Sequence, residues 1–354
     1  MKKTAWVGLA MLATVGGLAG CGTGSNTGTN PTTTQGASGN SATTANQSTQ
    51  TSSASTNAHP LSVLYAGSMT KVMEQKIGPQ ADSRLHIKYQ GEGAGSTALA
   101  QMIKSGLRTP DVFISASPSA DKMLMGASNH NLVNWYLALA QDQLVIAYNP
   151  KSPFAKQLEA AAKGTVPWYQ VMEEPGFRFG RTDPLLDPKG ESTIYMFELA
   201  QSYYHQPNLF KQILGSNENP KQVFPEESLL SQLTTGQVDA IVAYKHEAVE
   251  WGVPYITLPD AINLGNVNDK AAYAKATMTE NGKVKHGAPI LFTITIPTTS
   301  KDPKDAAAFV QYLVSGQGHD ILMKDGFTSV PTKLGGNKAD VPSGLQNLIQ
   351  GTMN

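Results

Sequence analysis

The residues best suited to chemistry in this chain lie in Gln90-Gly91-Glu92-Gly93-Ala94-Gly95-Ser96-Thr97. Glycine-rich backbone lets N–H groups converge on an anion, and a helix that starts from such a turn adds partial positive charge. Two cofactor patterns are excluded here. The dinucleotide fingerprint G-x-G-x-x-G needs a glycine where Ser96 stands, and the nucleoside-triphosphate loop needs a Gly-Lys-Ser/Thr ending that is absent. What remains is a small oxyanion held by amides, Gly95 among them, and by the Ser96 hydroxyl. Ser68 and either Ser115 or Ser117 also follow apolar runs and could add hydroxyls to the same site. For catalysis the signals are poor: there is no H-E-x-x-H, no C-x-x-C, and no G-x-S-x-G around Ser68 or Ser96. A Ser-His-Asp triad assembled from distant residues stays open at this point.

The elements that must position these residues follow from hydrophobic period. Residues 61–65 read as a buried strand that turns at Ala66-Gly67-Ser68 into a helix. Residues 85–89 read as a second strand, with the Gly-rich stretch as the loop that opens the next helix, and 111–116 as a third. Strands alternating with helices at this spacing indicate a parallel sheet, and ligands in such sheets bind outside the carboxyl ends of the strands. A further strand at 142–150 is followed by a restart of the pattern. It comprises the turn-rich 181–190, a helix from about 192 to 204, a short helix at 229–234 and a buried strand at 238–244. A strand at 289–297 and a helix from about 303 to 314 have no third cluster to join and return to the first. The expected fold class is α/β: two α/β lobes joined by two crossover strands, with 60–143 and 254–354 in the first lobe and 144–253 in the second. Such lobes can close over a small ligand held between them.

The start of the chain is of another kind. Lys2 and Lys3 precede an apolar run from 5 to 18 that ends Leu18-Ala19-Gly20-Cys21, which resembles the bacterial lipobox. Residues 1–20 read as a lipoprotein signal peptide, with Cys21 lipidated, and 21–59 as a disordered Ser/Thr/Gly-rich tether too poor in large apolar side chains to fold. Cys21 is the single cysteine, so the chain forms no disulfide within itself. The 27 basic and 27 acidic residues balance, which argues against nucleic acid or an anionic membrane surface as partner. An extracytoplasmic, lipid-anchored domain is the expectation.

Several segments together resemble the tungstate/molybdate-binding receptors of ABC importers. They are Tyr65-Ala66-Gly67-Ser68-Met69, Glu92-Gly93-Ala94-Gly95-Ser96, Asp111-Val112-Phe113-Ile114-Ser115-Ala116-Ser117, Gly180-Arg181-Thr182-Asp183-Pro184 with Asp187-Pro188-Lys189-Gly190, and Leu258-Pro259-Asp260-Ala261-Ile262-Asn263-Leu264. The resemblance implies a type II periplasmic-binding-protein fold, a monomer that passes tungstate or molybdate to an ABC permease, and no cofactor. It also implies that Ser68 and Ser96 donate to the oxyanion, that Asp187 contacts its metal centre, and that Tyr244 offers a hydroxyl. The departure is Ala243, where the archaeal-type pattern has a second carboxylate; Glu247 could replace it if turned inward. Asp187 beside a dianion is tolerable only if it ligates the metal, is protonated or points away, and its other reading is a helix cap. Tyr203-Tyr204-His205 resembles the paired tyrosines of ferric-binding proteins, so ferric iron or a sulfate-type oxyanion is the alternative cargo, and a hydrolase is a third reading. Arg181 either faces the ligand or pairs with Asp183, Glu92 is solvated or joins the lobes, and Lys245 and His246 read as surface residues.

Overall fold

The first strand, β1 (Leu61–Ala66), is apolar on both faces, with Leu61, Val63, Leu64, Tyr65 and Ala66 all buried, as parallel strands covered by helices are. It belongs to a computed structural model that describes residues 60–353; the leader, Cys21 and the tether lie outside the described residues. The next strand, β2 (Tyr89–Ala94), runs parallel to β1 in the register Leu61↔Tyr89 to Ala66↔Ala94. The Gly-rich stretch is therefore mostly strand, whereas its composition predicts a strand at 85–89 followed by a loop. The reason is packing. A Cβ at Gly91 would lie 2.2 Å from the Tyr89 hydroxyl, and one at Gly93 would lie 2.5 Å from the Tyr65 ring. These glycines make room for two tyrosines whose hydroxyls donate to Glu74 Oε1 at 2.7 and 3.0 Å. Only Gly95 remains as the turn into α1 (Ser96–Lys104).

On the other side of β1 lies β3 (Val112–Ser115), and β4 (Trp135–Gln141) ends at the first crossover, Asp142-Gln143. There the chain enters a second sheet through β5 (Leu144–Tyr148), β6 (Phe179–Thr182), β7 (Val223–Phe224) and β8 (Ala240–Tyr244). Its helices include α2 (Pro188–Tyr203), α3 (Glu226–Thr234) and α4 (Lys245–Trp251). The second sheet is completed by β9 (Tyr255–Thr257), which pairs antiparallel with β5. A second lobe ending at 253 is thus too short, because this strand satisfies the free edge of β5. After a hairpin of β10 (Thr277–Glu280) and β11 (Lys283–His286), β12 (Leu291–Thr295) returns to the first sheet between β3 and β4, antiparallel to both. The helix α5 (Pro303–Ser315) and the edge strand β13 (Leu334–Gly336) follow. The orders are β13-β4-β12-β3-β1-β2 and β7-β6-β8-β5-β9, two α/β lobes linked by two crossings. The carboxyl ends of β1, β2, β6 and β8 lead directly to Ser68, Ser96, Asp187 and Tyr244.

Candidate functional site

The first lobe contributes Ser68 from the short 3-10 turn Gly67–Met69 and Ser96 from the first position of α1. Ser68 Oγ is buried with no hydrogen-bond partner. Ser96 Oγ accepts from the Ala116 N–H at 3.0 Å, which orients its hydroxyl and leaves its proton available to a ligand. The second lobe meets this wall directly. The Ala98 N–H donates to the Leu186 carbonyl at 3.0 Å, so the amino end of α1 is capped from the opposite lobe. A Cβ on Gly95 would lie 2.6 Å from that carbonyl and 3.2 Å from Asp187 Oδ2. Glycine is needed there for closure.

Asp187 divides its oxygens. As N-cap of α2, Oδ1 accepts from the Thr182 hydroxyl at 2.8 Å, the Lys189 N–H at 2.8 Å and the Gly190 N–H at 3.3 Å, while Oδ2 is turned toward Gly95. The helix therefore begins at Pro188, four residues earlier than its apolar period indicates, because Asp187-Pro188 supplies both cap and first position. Glu226, first residue of α3, packs its Cγ where a Gly67 side chain would stand; its Oε1 accepts from Lys189 Nζ at 2.7 Å and its Oε2 is buried without a partner. Tyr244, 1% exposed, has an equally unpartnered hydroxyl, and its ring lies 5.4 Å from Lys189 Nζ. A cavity of about 270 Å³ opens between Gly95 on one lobe and Leu186, Asp187 and Glu226 on the other.

Electrostatics make this an unusual place for bare carboxylates. Burial, then the neighbouring Glu226, raises Asp187 to about 7. Burial also raises Glu226, with Lys189 opposing and Glu247 adding to the shift. Burial alone would lower Lys189, but Glu226, Glu247 and Asp187 outweigh it and hold the amine protonated. Burial and the same carboxylates raise the Tyr244 hydroxyl well above its ordinary value. One ammonium thus faces three carboxyl groups, two of which favour a proton. A centre that accepts oxygen ligands would replace that proton.

Glu226 and Lys189 are the residues that sequence reasoning missed. An acidic residue at a helix start is common for reasons of the helix dipole alone, so Pro225-Glu226-Glu227 carries no distinctive signal. Glu247 is turned inward, but to Lys189, at 2.8 Å from both its oxygens, and to the Tyr244 N–H at 2.7 Å. Ser115 is not brought to the cleft: its hydroxyl lies 2.8 Å from the Ser117 carbonyl, 2.9 Å from Asp121 Oδ2 and 2.8 Å from Thr293 Oγ1, a buried network behind the wall. The antiparallel register Thr293↔Ser115 directs it to β12. Arg181 is buried toward Gln222 and the Ser216 carbonyl, away from the ligand groups. Glu92 binds Arg108 at 2.8 and 3.1 Å. His246, expected at the surface, is fully buried, and its Nε2 faces the Ser68 carbonyl rather than the hydroxyl.

Tyr203 is 48% exposed, and Tyr204 accepts from Trp168 Nε1 at 3.1 Å within an aromatic cluster. Both end the helix that Asp187 begins, about 24 Å away at 1.5 Å per residue. Among the described residues no three His, Cys, Asp or Glu are grouped to hold a metal ion, and no helix is long and apolar enough to cross a membrane.

Residues 61–328 match a family described as bacterial extracellular solute-binding protein. A putative ABC transporter molybdenum-binding protein of Haloferax volcanii is 32% identical over 269 residues, which cover 76% of this chain and 81% of that protein. The molybdate/tungstate-binding protein WtpA of Pyrococcus abyssi is 26% identical over 319 residues, covering 82% and 90% respectively. Among solved structures, the periplasmic molybdate-binding protein of Azotobacter vinelandii matches with a TM-score of 0.55 at 14% identity, covering 76% of this chain and 99% of that one, a likeness of fold.

Proposed function

The chain belongs to the family of bacterial extracellular solute-binding proteins, and we propose that it is the receptor of an ABC importer that captures tungstate or molybdate between its lobes. The observation that carries this reading is the pair of buried carboxyls, Asp187 and Glu226, which lie against Gly95 and Gly67, the neighbours of Ser96 and Ser68, and act on the buried Tyr244 hydroxyl. A carboxylate about 4 Å from a dianion is repelled by roughly 8 kcal/mol at an effective dielectric of 20. Sulfur has no open coordination position to relieve that repulsion. Tungsten and molybdenum can expand their shell, so Asp187 Oδ2 and Glu226 Oε2 would ligate the metal while hydroxyls and the amides around Gly95 hold the oxygens. Glu226 then supplies the second carboxylate that Ala243 lacks.

The receptor acts by binding and release, as a monomer, with no chemical step on its solute. Cys21 would carry the lipid anchor and 21–59 the tether that keeps the lobes near a permease. A tetrahedral, sulfate-type site is the second reading, favoured by the upward shift of Asp187: two protonated carboxyls would donate to any oxyanion.

Isothermal titration of the full chain at pH 7.5 with tungstate, molybdate, sulfate and ferric citrate separates these readings. Tight binding of tungstate or molybdate without sulfate is expected, weakened at least tenfold in Asp187→Ala and in Glu226→Gln. Equal binding of sulfate, weakened in Asp187→Ala but kept in Glu226→Gln, which retains a donor, would establish the tetrahedral site instead, and binding of iron alone would end the oxyanion reading.

A further inference from the structure

His246 lies outside the ligand cradle but touches its wall. It is the second residue of α4, with no exposed surface, and a histidine so placed is ordinarily neutral, with one ring nitrogen donating and the other accepting. Here both nitrogens face acceptors. Nδ1 meets Asp142 Oδ2, and Nε2 lies 3.1 Å from the Ser68 carbonyl oxygen, which cannot donate. The Asp142 carboxylate accepts main-chain donors: Oδ1 from the Gln143 N–H at 2.7 Å and the Lys245 N–H at 3.1 Å, and Oδ2 from the His246 N–H at 3.4 Å. The Phe327 ring stacks on the imidazole with centroids 3.8 Å apart, and Phe292 approaches at 5.8 Å, aromatic surfaces that favour a cation.

The ring thereby joins three parts of the protein: the crossover at Asp142, the second lobe through α4, and the first lobe through the turn that carries Ser68. We propose that His246, as an imidazolium, is a positioning residue that fixes the Ser68 turn, so that oxyanion affinity falls when this proton is lost. A neutral ring keeping its Nδ1 proton for Asp142 would present a lone pair to the Ser68 carbonyl and push the turn away. This rests on the reading of Ser68 as a ligand group.

The other charged or titratable groups around His246 are committed elsewhere or too weak to replace Asp142. Glu247 binds Lys189, Asp325 pairs with Lys76, Lys71 donates to the Glu250 carbonyl, and the Tyr244 ring stacks at 6.0 Å. Burial raises the Glu250 carboxyl to about 7, with His246 opposing that shift. Burial pulls the His246 imidazolium down, but Asp142 more than offsets it, so the ring titrates above the ordinary histidine value. The contribution of the proton is then complete below about pH 6.5 and is lost as pH rises through the raised value.

The test is NMR of the full chain with labelled histidine and Ser68 carbonyl, between pH 5.5 and 9, paired with molybdate titration calorimetry. Expected are two protonated ring nitrogens at pH 7, a Ser68 carbonyl shift that follows the His246 midpoint, and a wild-type affinity that falls up to tenfold per pH unit above it. His246→Gln, which keeps an amide donor without titrating, should lose one proton's worth of that slope; this difference isolates His246 from Asp187 and Glu226. A neutral ring at pH 7, a Ser68 carbonyl indifferent to the titration, or parallel slopes in the two proteins would overturn the proposal. If molybdate binds at no pH, the oxyanion reading fails by itself, and the ring and carbonyl shifts still decide the role of His246.

Discussion

Asp187 answers two demands with two oxygens, since Oδ1 caps α2 and Oδ2 is left for the cleft. An alanine there would remove a cap worth about 1 kcal/mol as well as the proposed ligand group, so its effect on binding must be read against its effect on stability. Asp121 is the residue with the same electrostatic signature and no place in the site. It is fully buried, its Oδ2 lies within the Ser115 and Thr293 hydroxyl network, its Oδ1 has no partner, and burial raises it to about 7. A carboxyl raised from the ordinary value stabilises the fold most below about pH 4, and that contribution is lost as pH rises through 7, a swing of about 4 kcal/mol. Thermal melts at pH 5 and 8.5 should therefore show a more stable protein at the lower pH, and Asp121→Asn should reduce the difference by its share, the remainder coming from Asp187, Glu226, Glu250 and His246, while leaving molybdate affinity unchanged. A variant that melts in parallel with the wild type at both values would refute the assignment. Ser115 illustrates the limit of sequence at this scale. Its position after a strand was legible, but which partner its hydroxyl meets depended on the cross-strand register with Thr293.

At the scale of elements, closure rests on the amino end of α1 meeting the turn before α2. The Ala98 N–H to Leu186 carbonyl bond and the bare Cα of Gly95 define that contact. Gly95→Ala would drive a methyl group to 2.6 Å from a main-chain oxygen that has no rotamer to escape by. The lobes would stay ajar, and molybdate affinity should fall at least tenfold with the melting temperature of the ligand-free chain little changed; equal affinity would show that the contact is not required. Three helices also converge on Lys189, which holds Glu226 from α3 and Glu247 from α4 while sitting itself on α2. Breaking such a buried pair by removing one partner typically costs 3–5 kcal/mol. Lys189→Met should accordingly destabilise the chain by about that amount in denaturant unfolding, because two buried carboxylates would lose their shared cation.

At the scale of the whole molecule, the two crossings between sheets make closure a hinge motion, and the cleft groups come from both sides of it. Small-angle X-ray scattering should give a smaller radius of gyration with molybdate than without, and the same protein carrying Gly95→Ala should show little of that change. No compaction in the wild type would mean that ligand enters an already closed form.

The strand and helix periods and the serines after β1 and β2 could be read directly from sequence, because each depends on neighbours a few residues away, whereas the helix expected from about 192 starts at Pro188 behind the Asp187 cap. The two-lobed return of the chain was also legible, since the late strand at β12 had no partner but the first sheet. The Gly-rich stretch misled, for its glycines answer to Tyr65 and Tyr89 across a strand pair. Glu226, Lys189 and His246 gained their roles only in three dimensions: each lies on a different helix from the group it serves, and burial, which sequence spacing does not encode, is what turns an ordinary surface residue type into a charge that must find a partner.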